Sequence, residues 1–177
     1  MARIGFCGTM SVGKTTLVNA LKELPEFKDY YFATERSKYL RDLGIPLNTD
    51  STLKGQIVFL AERCSELFRE NIITDRTIID VMAFTQCSKT IHWLEKKEYT
   101  ELASNFLREY DHVFYISPEG IEIEDNGVRT TDVKYRDLID KTIQGILEKH
   151  HHKIQNIHKI SGTTEERIQS IKEVLSL

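Results

Sequence analysis

Hydrophobic residues along this chain gather in short β-rich runs, at residues 3–7, 30–33, 72–74, 112–117 and 153–160. Between the runs lie longer stretches in which apolar residues return every three or four positions, at 14–24, 51–70, 77–90, 99–110, 132–150 and 163–177. The first pattern predicts buried strands, and the second predicts helices that turn one apolar stripe towards a core. Alternation of the two predicts parallel strands joined by right-handed crossovers, with helices over both faces. The expected fold is therefore α/β, a three-layer arrangement of about five parallel strands flanked by helices.

Punctuation supports these assignments. Pro25 ends the first helix, Gly44 and Pro46 interrupt the chain ahead of the segment 51–70, and Pro118 follows the fourth strand. The longest irregular piece, 118–131, is acidic, carries Gly120 and Gly127, and has the length of a functional surface loop.

Composition changes the picture only by exclusion. A chain of 177 residues is expected to form one domain, 1–177, around a single core. With 40% hydrophobic and 29% charged residues it lies far from disordered compositions. A net charge of −3 gives no general attraction to nucleic acid. Cys7, Cys64 and Cys87 are far apart and outside any CxxC spacing, which argues against a disulfide framework or a zinc site. The first residues lack the apolar core of a signal peptide, and no apolar run nears the ~20 residues of a membrane helix, so a cytoplasmic protein without membrane partners is expected.

Candidate chemistry begins at Gly8, where GTMSVGKT fits the pattern G-x-x-x-x-G-K-[ST] between a strand and a helix. Glycines let the backbone wrap phosphate oxygens, so that successive N–H groups and the positive end of the next helix face the anion. Gly8, Ser11, Val12, Gly13, Lys14, Thr15 and Thr16 are the expected nucleotide contacts. Lys14 would carry an ammonium to the β and γ phosphates, and the Thr15 hydroxyl is a hard oxygen ligand for Mg²⁺. ATP and Mg²⁺ are the expected cofactors. The elements of a GTPase, N-K-x-D and D-x-x-G, occur nowhere, and a small-molecule kinase remains.

Together with the loop, the segments ATER at 33–36, GQIVFLAER at 55–63, IITDRTIID at 72–80 and NGVRTTDVKYR at 126–136 give the chain its resemblance to a family. It resembles the small P-loop nucleoside and nucleotide kinases, AAA-type kinase-like ATPases related to ribosylnicotinamide kinase and the deoxynucleoside kinases. The likeness spans nearly the whole chain, and its parts gain weight from their order.

That resemblance implies further roles. Asp75, at the carboxyl edge of the sheet, would orient a Mg²⁺-bound water or the acceptor hydroxyl, while Arg76 would hold phosphate. Glu35 would serve as general base on the acceptor, in competition with Asp75. Gln56 would read a base edge, and Arg129 would neutralise transferred charge from a lid around 118–136. Asp80 has a structural explanation in a capping box with Thr77, as Thr163 has with Glu166. The run His150–His152 is read as a helix end, because neighbouring histidines on a helix do not share a face.

The expected activity is transfer of the γ phosphate of a nucleoside triphosphate to a nucleoside, nucleotide or related small acceptor. A hydroxymethylated base in DNA is an alternative acceptor. A P-loop ATPase that binds a protein partner is a second alternative. The oligomeric state is left open, a dimer included.

Overall fold

The structure, a computed structural model, describes residues 2–34, 37–121 and 132–177. Five strands, β1 (Arg3–Cys7), β2 (Tyr31–Ala33), β3 (Ile72–Thr74), β4 (His112–Ile116) and β5 (Ile157–Ile160), form one parallel sheet in the order β2-β3-β1-β4-β5. Among the described residues seven α-helices accompany it: α1 (Lys14–Lys22), α2 (Ser37–Asp42), α3 (Leu53–Glu66), α4 (Ile78–Cys87), α5 (Trp93–Ser104), α6 (Val133–His150) and α7 (Thr164–Leu175). This is the three-layer α/β arrangement that the strand–helix alternation predicts.

The two-residue period of the strands sorts their side chains into two cores. Ile4, Phe6, Phe114, Ile116 and Ile160 join Leu17 and Leu21 of α1 and Ile171 of α7 on one face. Cys7, Val113 and Tyr115 face the other way, into the core built by α3, α4, α5 and α6. At the centre, Phe6 and Phe114 stack with ring centroids 5.5 Å apart across the β1–β4 pair.

Gly5 lies in the middle of the central strand. A Cβ there would sit 2.5 Å from the Thr77 methyl and 2.8 Å from the Tyr110 ring, so its absence is what lets the start of α4 press onto β1. Tyr110 is buried against the same place, where its hydroxyl oxygen accepts from the Ile78 N–H at 3.2 Å.

Some boundaries differ from the sequence pattern. The segment 99–110 is not the fifth helix. It runs instead from Trp93 to Ser104, started by a capping box in which His92 Nδ1 accepts from the Leu94 N–H and Glu95 accepts from the His92 N–H. Trp93 and Leu94 in its first turn are exposed, while Leu107 and Tyr110 beyond its end are buried, which displaces the apolar period towards the C-terminus. The last strand starts at Ile157, because residues 151–153 form a 3₁₀ turn closing α6. The six-residue α2 carries too few turns for a readable period. Among the described residues no helix is long and apolar enough to cross a membrane.

Two predictions follow from this packing. Gly5→Ala overpacks β1 against Thr77 and Tyr110 and is expected to cost about 1–3 kcal/mol in chemical denaturation. On β4 and β5, His112 Nδ1 and His158 Nε2 lie 3.1 Å apart, and burial pushes both imidazoles below the usual histidine range, with their mutual repulsion lowering His158 further. The unfolded chain therefore takes up these protons before the folded one does. Stability is expected to be complete above about pH 6.5, the ordinary histidine value, and to fall as pH drops below it. His158→Gln should flatten that slope in urea titrations between pH 7 and 5.

Candidate functional site

All five strands end at one edge of the sheet, and β1 leaves it between β3 and β4. The chain turns there through Gly8 (φ 154°), Ser11 (φ 58°) and Gly13 (φ 81°) before entering α1. A side chain on Gly8 would meet the Ile116 carbonyl at 2.7 Å. Ser11 holds a left-handed conformation that costs free energy outside glycine, and such costs concentrate at functional loops. Gly13 is the N-cap of α1, with no side-chain cap and no acidic residue in the first turn. By contrast α3, α4, α5, α6 and α7 are each capped by a side chain. With neither a capping side chain nor an acid in its first turn, the start of α1 presents the positive end of its dipole, which suits an anion.

The loop is tied down on every side. Gly8 N–H donates to Asp80 Oδ1 at 3.1 Å, and the other Asp80 oxygen accepts from both the Thr77 N–H and the Thr77 hydroxyl at 2.8 Å. Thr9 Oγ1 donates to the Arg136 carbonyl of α6 at 2.9 Å. From α7, Arg167 Nη1 donates to the Val12 carbonyl at 2.8 Å. The Lys14 ammonium donates to the Gly8 carbonyl and, at 2.8 Å, to that of Thr9, with Asp80 Oδ1 4.0 Å away.

Next to the loop, Thr15 Oγ1 donates to Asp75 Oδ2 at 2.6 Å. Asp75 is fully buried, and its N–H extends the sheet by donating to the Ala33 carbonyl at 3.0 Å. A hydroxyl and a carboxylate oxygen at this separation form a hard oxygen pair beside a phosphate loop, a donor set that suits Mg²⁺. Arg76, the next residue, lays its guanidinium over the Phe84 ring, 5.0 Å from the centroid. A cleft of about 250 Å³ opens along the loop itself, lined by Ser11 to Thr16, Ile121, Gly162 to Thr164 and Arg167; Asp75 and Arg76 are not in its lining.

The remaining candidates are distributed as follows. Gln56 is buried in the first turn of α3, where its carbonyl accepts from the Tyr99 hydroxyl at 2.8 Å; its side-chain amide makes no hydrogen bond among the described residues. Arg63 pairs with Glu66 at 2.7 Å on the same helix. Arg136 is buried, and its guanidinium donates to the carbonyls of Ile121 (2.7 Å) and Pro118 (3.2 Å). Glu35, Arg36 and Arg129 lie outside the described residues. The three histidines close α6, with His151 Nδ1 2.8 Å from the Glu148 carbonyl. Among the described residues no three histidine, cysteine or acidic side chains gather as a metal would need.

Two residues were missed as parts of this site. Asp80 forms the capping box its spacing predicts, yet its second oxygen also holds Gly8. Arg167 sits against the loop although α7 lies 155 residues from Val12 in sequence. Local spacing carries no signal of either contact. A larger surface groove of about 980 Å³ between α5 and the end of α6 contains none of the loop residues.

Residues 3–167 match the AAA domain family. No curated protein matches the chain in sequence. Among solved structures it is similar to deoxyadenosine kinase from M. mycoides with bound dCTP (17% identity, 98% of this chain and 99% of that one, TM-score 0.67). It is also similar to NadR in complex with NR (14%, TM-score 0.74), where 98% of this chain covers 51% of the other, so it spans about half of that protein. A third likeness is to YorR from Bacillus subtilis in complex with phosphorylated GDP (14%, 98% and 95%, TM-score 0.57). In sequence the chain belongs to the AAA domain family, and the architecture that carries its loop is the α/β fold of the P-loop kinases.

Proposed function

We propose that this chain is an ATP- and Mg²⁺-dependent phosphotransferase that moves the γ phosphate to a nucleoside, nucleotide or related small acceptor. The observation that carries the reading is the uncapped start of α1 beside the Thr15–Asp75 oxygen pair. It combines an anion site with a hard-cation site a few ångströms apart. The deoxyadenosine kinase and the NR-bound NadR, which share the fold, support a small acceptor of nucleoside type.

In this reading the loop N–H groups hold the triphosphate, and Lys14 turns its ammonium from the Gly8 and Thr9 carbonyls onto the phosphate oxygens. Thr15 and Asp75 would hold Mg²⁺, which when bound neutralises charge on the β and γ phosphates. Arg76 supports the transferred group. The 2.6 Å contact of Asp75 with Thr15 supports a metal-side role for Asp75, which favours Glu35, two residues beyond β2 in sequence, over Asp75 as the base for the acceptor proton. Gln56, a buried amide with no protein partner for its side chain among the described residues, reads the acceptor. The segment 118–136, at whose described ends Arg136 donates to the Pro118 and Ile121 carbonyls, is read as a lid from which Arg129 would neutralise transferred charge. The chain works as one domain, 1–177.

The reading is tested by incubation with γ-labelled ATP and Mg²⁺ against a panel of nucleosides, nucleotides, nicotinamide riboside and hydroxymethylated DNA. Label is expected in a small acceptor. Label released only as inorganic phosphate, whatever is offered, would replace the kinase by an ATPase, and label in DNA alone would replace the acceptor class. Lys14→Ala is expected to lower transfer by about 100- to 1,000-fold, the usual loss of one charge-stabilising donor. Glu35→Gln is expected to lower kcat by about 100- to 10,000-fold with little change in the KM for ATP. A variant with unchanged kcat would move the base to another residue.

A further inference from the structure

Arg167 is the one described residue of α7 whose charged group reaches the phosphate loop, and its surroundings are unusual for a cation. The side chain is 4% exposed. Nη1 donates to the Val12 carbonyl at 2.8 Å and lies 3.2 Å from where a Cβ on Gly13 would stand, while Nε has no partner among the described residues. No described carboxylate pairs with it. Its sequence neighbour Glu166 is committed to the capping box, accepting from the Thr163 N–H at 2.7 Å. Burial accordingly pulls the guanidinium below the usual arginine range.

A buried charge without a counter-ion is strongly unfavourable unless hydrogen bonds or a bound partner compensate it. Arg167 lines the 250 Å³ cleft between Ser11–Thr16 and Gly162–Thr164, beside the uncapped first turn of α1. The carbonyl it already holds fixes the guanidinium at the wall of that cleft, and its fork still has N–H groups for a planar, bidentate acceptor. Phosphate oxygens meet that description.

We propose that Arg167 is a donor-binding residue whose counter-ion is the polyphosphate of the nucleoside triphosphate. It thereby links α7 to the loop, and α7 packs more firmly on the site when the nucleotide is present. This inference rests on reading the loop as a triphosphate site, and it stands whatever the acceptor proves to be.

The role makes stability and binding move in opposite directions. Arg167→Gln removes the uncompensated charge and, its amide being two atoms shorter, gives up the Val12 carbonyl contact in exchange. The nucleotide-free variant is expected to unfold at the same temperature as the parent or higher. Its affinity for Mg-ATP and for inorganic tripolyphosphate, by calorimetry, is expected to fall about 10- to 100-fold for both. Arg167→Lys, which keeps charge but loses the fork, should bind each ligand with intermediate affinity, and it supplies the comparison should the glutamine variant not fold. A variant that melts lower yet binds both ligands as the parent does would reduce Arg167 to a brace. Weaker ATP binding with unchanged tripolyphosphate binding would also overturn the assignment, moving the contact to the base or ribose. If the parent itself bound neither ligand, the triphosphate site would fail, whereas ATP binding without transfer would remove only the kinase reading.

Discussion

One carboxylate, that of Asp80, ties the site together. It closes the first turn of α4 through Thr77 and holds the Gly8 N–H with its other oxygen, so a helix start and the phosphate loop share a single buried anchor. A fully buried carboxylate is tolerable only when its oxygens are well satisfied. Three donated hydrogen bonds and the Lys14 ammonium at 4.0 Å supply that satisfaction. The packing that allows it begins at Gly5, whose missing side chain admits Thr77 and Tyr110 to the surface of β1. Position of the loop is therefore set by the core below it.

Around this anchor, charge is arranged to be used. Asp75 and Asp80 are buried on one side of the loop, while Lys14, Arg136 and Arg167 are buried around it and donate mainly to backbone carbonyls. Carbonyls orient a cation without cancelling its charge. In the proposed reading this positive charge serves the ligand, in a chain whose net charge is −3. Burial of these groups would strengthen the phosphate contacts of the proposed reading.

Much of the fold was legible because its signals are local. The β1 run, the glycine pattern and the capping residues Thr77 and Thr163 act within a few positions of one another, and each appears where the spacing puts it. The fifth helix was misplaced because an exposed Trp93 and a buried Tyr110 reverse the usual relation between period and burial at its two ends. Within the site, the Gly8–Asp80 and Val12–Arg167 contacts join residues 72 and 155 positions apart, and nothing in one sequence marks such pairs. Thr15 was expected to face Mg²⁺ from its hydroxyl chemistry and Asp75 from the family resemblance, and the fold brings the two side chains to 2.6 Å.

The central claim is that this loop and the adjoining oxygen pair form one site for a metal-bound nucleoside triphosphate. Calorimetric titration with a non-hydrolysable ATP analogue, with and without Mg²⁺, tests it most directly. The account predicts saturable one-to-one binding that strengthens at least about tenfold when Mg²⁺ is present, the scale of one added charge-assisted contact. Binding indifferent to Mg²⁺, or no binding at all, would contradict it.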